Sequence, residues 1–131
     1  MPLIFAAGFF HTLAGMPDDS ITYSSTAGQL DGTTILKIEG PLKLTTMFTF
    51  QNEFRAMTPK VLIVDLNDSP YMDSAGLGVL MNYYVSAQNH GRKILLACVN
   101  NRIQALLELT KVDGILKSYP TVEAAEASLQ G

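Results

Sequence analysis

Two apolar runs, "VLIVDL" at 61–66 and "KILLACV" at 93–99, constrain the fold of this chain more than any other feature. Neither alternates between apolar and polar residues, so each reads as a short strand covered on both faces rather than one with a wet side. The segment between them has helical period. Leu77, Leu80, Met81, Tyr84 and Gln88 fall on one face, and Gly91 stands where a left-handed C-terminal cap belongs. Strand, helix and strand in that order make a βαβ unit, with parallel strands and a right-handed crossover.

The flanking segments extend this unit in both directions. "SITYSSTAG" at 20–28 and "TTILKIE" at 33–39 are rich in β-branched residues, and Asp31-Gly32 between them predicts a hairpin turn. After Gly40-Pro41, Thr45 or Thr46 can cap a helix carrying Met47, Phe50, Phe54 and Met57 on one face, with Pro59 marking its end. Asn100 or Asn101 can cap a further helix with Ile103, Leu106 and Leu107, stopped by Gly114. A strand "ILKSY" follows, and Thr121 then caps a last helix with Glu123 in its first turn, where a negative charge suits the dipole. The predicted order is β-β-α-β-α-β-α-β-α. This is an α/β domain over residues 20–131, with a mixed, mainly parallel sheet, an N-terminal β-hairpin and about four helices.

With 131 residues, 47% of them hydrophobic, the chain can bury a core without disulfides or metal. A net charge of −3 and no Lys/Arg cluster argue against a nucleic-acid or anionic-membrane surface. The single cysteine, Cys98, forms no internal disulfide and sits in a buried-type strand, where it behaves as a small hydrophobe; a reducing, cytoplasmic setting is expected. Residues 1–19, opening "MPLIFAAGFF", form an apolar extension. It is shorter than the ~18 apolar residues of a membrane span, and it lacks the positive region of a secretory signal, since no Lys or Arg precedes Lys37. The extension is expected to pack on its own domain or to mediate a homodimer; a translation start misplaced upstream of Met16 or a cloning remnant is an equal alternative.

The chemistry-bearing stretch is "DLNDSPYMDSAGLGVL" at 65–80. It sets Asp73, Ser74, Ala75, Gly76 and Gly78 at a helix start, although each helical glycine costs about 0.8–1 kcal/mol relative to alanine. Ser74 is a preferred N-cap, beside backbone N–H groups that lack intrahelical acceptors, so a phosphate there would meet free donors and the positive end of the dipole. Two readings of the small residues stay open: they let a partner approach the backbone closely, or they let the helix pack on the sheet at an ordinary βα junction. Tyr71 and Met72, just before the site, are a possible contact pair or a plug into the core.

With these residues in view, "DLNDSPYMDSAGLGVLMNYYVSAQNHGRKILLACVNNRIQALLELTKVDGILKSYPTVEAAEASL" resembles the STAS domain of bacterial anti-sigma-factor antagonists, over roughly residues 20–129. The resemblance implies a phosphorylation switch. Ser74 would be phosphorylated by a serine kinase that is itself the anti-sigma factor; the unphosphorylated form binds that partner and releases the sigma factor. Asp73, Ser74, Ala75, Gly76 and Gly78 would form the contact centre, with Asp68, Tyr71 and Lys43 as neighbours. One position departs from the family pattern: where an acidic residue often follows the second strand, this chain reads Gly40-Pro41-Leu42-Lys43. Lys43 can pair with Asp73 or with the phosphate, or stand as a solvated surface lysine.

The alternative function is a constitutive, unphosphorylated subunit of a larger signalling assembly or of a lipid-transport ATPase complex. No enzyme constellation is evident. His11 and His90 lack metal-ligand spacing, and His90 reads as a helix C-terminal residue. "GLGVLM" lacks the third glycine of a dinucleotide site, and Ser74 is not in a Gly-x-Ser-x-Gly elbow. Neither a cofactor nor a metal is expected.

Overall fold

The structure, a computed structural model, describes residues 21–130, the Thr49 side chain excepted. The apolar extension at 1–19, its proposed homodimer role and His11 lie outside the described residues. In chain order the elements are β1 (Thr22–Ala27), β2 (Thr33–Glu39), α1 (Leu44–Ala56), β3 (Val61–Asp68), α2 (Ser74–Asn89), β4 (Lys93–Ala97), α3 (Asn101–Leu109), β5 (Ser118–Tyr119) and α4 (Val122–Ser128). The five strands form one sheet in the order β1-β2-β3-β4-β5. β1 runs antiparallel to β2 and every other pair is parallel, as the βαβ reading requires. The Asp31-Gly32 turn holds the hairpin, with Gly32 in the left-handed region at φ +82°.

Both faces of the sheet are covered. Leu62, Val64 and Leu66 of β3 point into the larger core, with Leu36 and Ile38 of β2, Met47, Phe50 and Phe54 of α1, Leu77 and Leu80 of α2, and Ile103 and Leu107 of α3. Ile63 points the other way, into a smaller core with Leu95, Ala97 and Ala125 of α4. Alternate residues of one strand serve opposite cores, which is why the sequence shows an unbroken apolar run. An aromatic row ties α1 to both neighbours: Tyr23 meets Phe50 edge-on at 4.6 Å, Phe50 stacks on Phe54 at 5.2 Å, and Phe54 packs on Tyr83 at 4.6 Å. Burial raises the Tyr83 phenol above its ordinary pKa, and its hydroxyl donates to the Met57 carbonyl at 2.7 Å.

Several boundaries differ from the sequence reading. α1 begins at Leu44 with Lys43 at the N-cap, not at Thr45 or Thr46. Thr46 acts from inside the first turn, its Oγ1 accepting the Lys43 N–H at 3.0 Å. The buried face of α2 runs through Leu77, Leu80, Tyr83 and Ala87 rather than on to Gln88, because Tyr83 turns toward Phe54 of α1. α2 ends as expected at Gly91, φ +71°, with the Arg92 N–H reaching back to the Ala87 carbonyl at 2.8 Å and His90 Nδ1 2.8 Å from the Ser86 carbonyl. β4 stops at Ala97. Cys98 has φ 64° and has already left the strand, half-buried; burial first, and the Asp65 carboxylate second, push its thiol pKa up.

α3 is stopped by Lys111, not Gly114. Lys111 takes the left-handed conformation at φ 62°, and the Val112 N–H returns to the Leu107 carbonyl at 3.0 Å. The Ile115 and Leu116 N–H groups both donate to the Val112 carbonyl, so this turn consumes the start of the expected "ILKSY" strand and only Ser118–Tyr119 pair with β4. Asn100 and Thr121 cap α3 and α4 as predicted, accepting the Ile103 and Ala124 N–H groups at 2.9 Å each.

Candidate functional site

The C-terminal ends of β2, β3 and β4 share one edge of the sheet, where a parallel sheet presents its loops. The loop after β3 is pinned there: buried Ser69 donates its hydroxyl to the Ile38 carbonyl at 3.0 Å. Beyond it the chain pairs once more with the segment after β2. The Leu42 N–H donates to the Tyr71 carbonyl at 2.8 Å and the Asp73 N–H to the Leu42 carbonyl at 3.0 Å, a parallel bridge between Leu42 and Met72. Met72 is buried and Tyr71 exposed, so one of the pair plugs the core and the other faces out.

Asp73, not Ser74, caps α2. Its Oδ1 accepts the Gly76 N–H at 2.9 Å and its Oδ2 accepts the Leu44 N–H at 3.2 Å. One carboxylate therefore serves the N-termini of two helices, α2 and α1, and takes the capping position the sequence reading gave to serine. Ser74 becomes the first residue of α2 and is exposed. Lys43, the N-cap residue of α1, directly precedes Leu44, whose N–H bonds Asp73, so its backbone adjoins this patch.

The two glycines divide the two readings between them. A Cβ at Gly76 would collide with the Leu42 carbonyl group, its carbon only 2.9 Å away; this buried glycine lets α2 cross the Leu42 segment. A Cβ at Gly78 would meet nothing within 4 Å, and that residue is exposed. Packing thus demands a glycine at 76, while at 78 the structure leaves open space and makes no packing demand.

Ser74 stands between two grooves. One, about 410 Å³, is lined by Tyr71, Asp73, Ser74, Arg102, Leu106 and Leu109. The other, about 240 Å³, lies between α1 and α2 and is lined by Leu44, Phe48, Ala75, Gly78, Val79 and Asn82 among others. Their rims carry large exposed apolar side chains, Leu109 at 80%, Phe48 at 72% and Leu44 at 65% of full exposure. Asp68 is engaged elsewhere, in an ion pair with Lys37 at 3.1 Å that holds the Lys37 ammonium above its ordinary pKa, chiefly through the hydrogen bond.

Leu44, Phe48, Arg102 and Leu109 were missed by sequence reasoning. Phe48 did leave a signal, an aromatic residue off the Met47-Phe50-Phe54 stripe. So did Arg102, a cation beside the Asn100 cap, where the helix dipole disfavours it. Among the described residues no helix is long and apolar enough to cross a membrane.

The STAS domain model matches residues 25–125. A Thermotoga neapolitana protein assigned by its name to the anti-sigma factor antagonists is 36% identical over 72 residues, 55% of this chain and 63% of that protein, so this chain spans somewhat under two thirds of that relative. The crystal structure of an anti-sigma factor antagonist from Mycobacterium paratuberculosis superposes with a TM-score of 0.71 at 21% identity, covering 86% of this chain and 97% of that one. The murine Solute Carrier 26 family member A9 anion transporter contains the same fold, TM-score 0.70 at 15% identity, over 93% of this chain and 24% of the transporter. The STAS domain model covers most of the chain, and the relatives' names point one way within it: this chain belongs to the STAS domain family and resembles the anti-sigma factor antagonists.

Proposed function

We propose that the protein is a non-enzymatic interaction switch, an anti-sigma factor antagonist whose Ser74 is the phosphoacceptor for a serine kinase that doubles as the anti-sigma factor. The single observation that carries this is an exposed serine at the start of α2, flanked on both sides by apolar grooves. Leu44, Phe48, Tyr71 and Leu109 offer a partner apolar area, and Gly78 leaves the backbone open beside them. In the modification the Ser74 hydroxyl oxygen attacks the γ-phosphorus of a nucleoside triphosphate. The bond to the diphosphate breaks, and the hydroxyl proton passes to a base of the kinase.

The product places about −1.5 to −2 charges at pH 7 at the middle of the contact surface, next to Asp73. A partner covering Ser74 would have to desolvate that charge, so affinity falls while the fold, in which Ser74 contributes no buried side chain, stays intact. The test is phosphate transfer in an extract of the native host supplied with labelled ATP. The account expects label on the parent chain and none on Ser74→Ala. Equal label on both would contradict it, and no label on either would favour a constitutive subunit in which Ser74 only makes a contact.

A further inference from the structure

We propose that Arg102 receives the phosphate carried by Ser74, an inference that rests on Ser74 being the phosphoacceptor. Arg102 lies in the first turn of α3, among free N–H groups and at the positive end of the dipole, where a cation is disfavoured unless something anionic or electron-rich faces it. In the unmodified chain that partner is an aromatic ring: the guanidinium lies 5.3 Å from the centroid of Tyr71. Tyr71, Ser74 and Arg102 line one groove. The base of the arginine is fixed relative to the serine loop, because the Asn100 side-chain amide donates to the Pro70 carbonyl at 3.0 Å.

A ring face at an exposed site is a weak partner for a guanidinium, whereas a dianionic phosphate offers it charge and a two-pronged acceptor. Once Ser74 is modified, the guanidinium leaves Tyr71 and turns to the phosphate. The exchange uncovers the Tyr71 ring and narrows the Ser74 end of the groove, so modification alters the shape of the contact surface as well as its charge. Of the charged residues the sequence set beside Ser74, Asp73 is committed to the Gly76 and Leu44 N–H groups, and Lys43 is the N-cap residue of α1, next to Leu44. Asp68 is ion-paired with Lys37. Lys43 is therefore the rival cation.

The test uses the full chain with phosphoserine installed at position 74 during synthesis, so that it does not depend on the native kinase. Phosphorus NMR titration gives the second ionisation of the phosphate in the parent and in Arg102→Gln and Lys43→Gln. The expected result is an ionisation below the ordinary value of about 6 in the parent, raised by about half a unit or more in Arg102→Gln and by less in Lys43→Gln. Tyr71 ring resonances should shift clearly more on phosphorylation in the parent than in Arg102→Gln. An ionisation unmoved by Arg102→Gln, or moved more by Lys43→Gln, would overturn the assignment while leaving Ser74 as phosphoacceptor untouched. The phosphoacceptor reading is tested separately, by the transfer experiment.

Discussion

A methyl group added at Gly76 has nowhere to go, since the Leu42 carbonyl group occupies the space, whereas one added at Gly78 enters open solvent. Gly76→Ala should therefore destabilise the protein by about 1–3 kcal/mol through overpacking, and Gly78→Ala should stabilise it by up to about 1 kcal/mol through helix propensity. Urea unfolding of the two variants checks both signs at once. Asp73→Ala removes the acceptor for two helix N-termini and should cost about 1–2 kcal/mol in the same assay. The raised thiol pKa of Cys98 means less thiolate than a free cysteine carries at pH 8. Alkylation by iodoacetamide should accordingly be slower than that of a cysteine-containing peptide, with the rate still rising above the pH where the peptide's has levelled. At this scale the sequence offered the residues but not their division of labour. Two glycines two positions apart are chemically identical, and only the approach of the Leu42 segment, distant in sequence, separates them. Asp73 outranks Ser74 as the cap for a similar reason, because its second oxygen is claimed by α1.

Helix ends were the least legible elements. Gly91 closes α2 as its residue type predicts, but α3 is closed by Lys111, a residue with no preference for φ 62°. Lys111→Gly should relieve that conformation and raise stability by about 1 kcal/mol in urea unfolding, because glycine carries no Cβ into the left-handed region. Gly114, three residues on, was the more conspicuous signal and lies beyond the helix end. The rotation of the α2 face has the same origin: Tyr83 and Tyr84 are equally apolar neighbours, and the aromatic row from α1 decides which of them goes inside. α1 is apolar on more than one side, with Met47, Phe50 and Phe54 buried while Leu44 and Phe48 stay exposed.

Across the whole molecule, the βαβ unit was legible because strands buried on both faces must be apolar throughout, and that pattern survives any detail of packing. The serine turn was legible as a motif. The surface around it was not, since Leu44, Phe48, Arg102 and Leu109 come from α1 and α3 and reach Ser74 only once the sheet has set the helices side by side. Because Ser74 is exposed, Ser74→Glu should unfold within about 0.5 kcal/mol of the parent, separating any loss of function from loss of fold. The most direct measurement is phosphopeptide mapping of the protein taken from its native host, grown with and without stress, with Ser74→Ala as control. The account predicts a phosphate on Ser74 whose occupancy changes with growth condition; a Ser74 that stays unmodified across conditions that engage other such switches would contradict it.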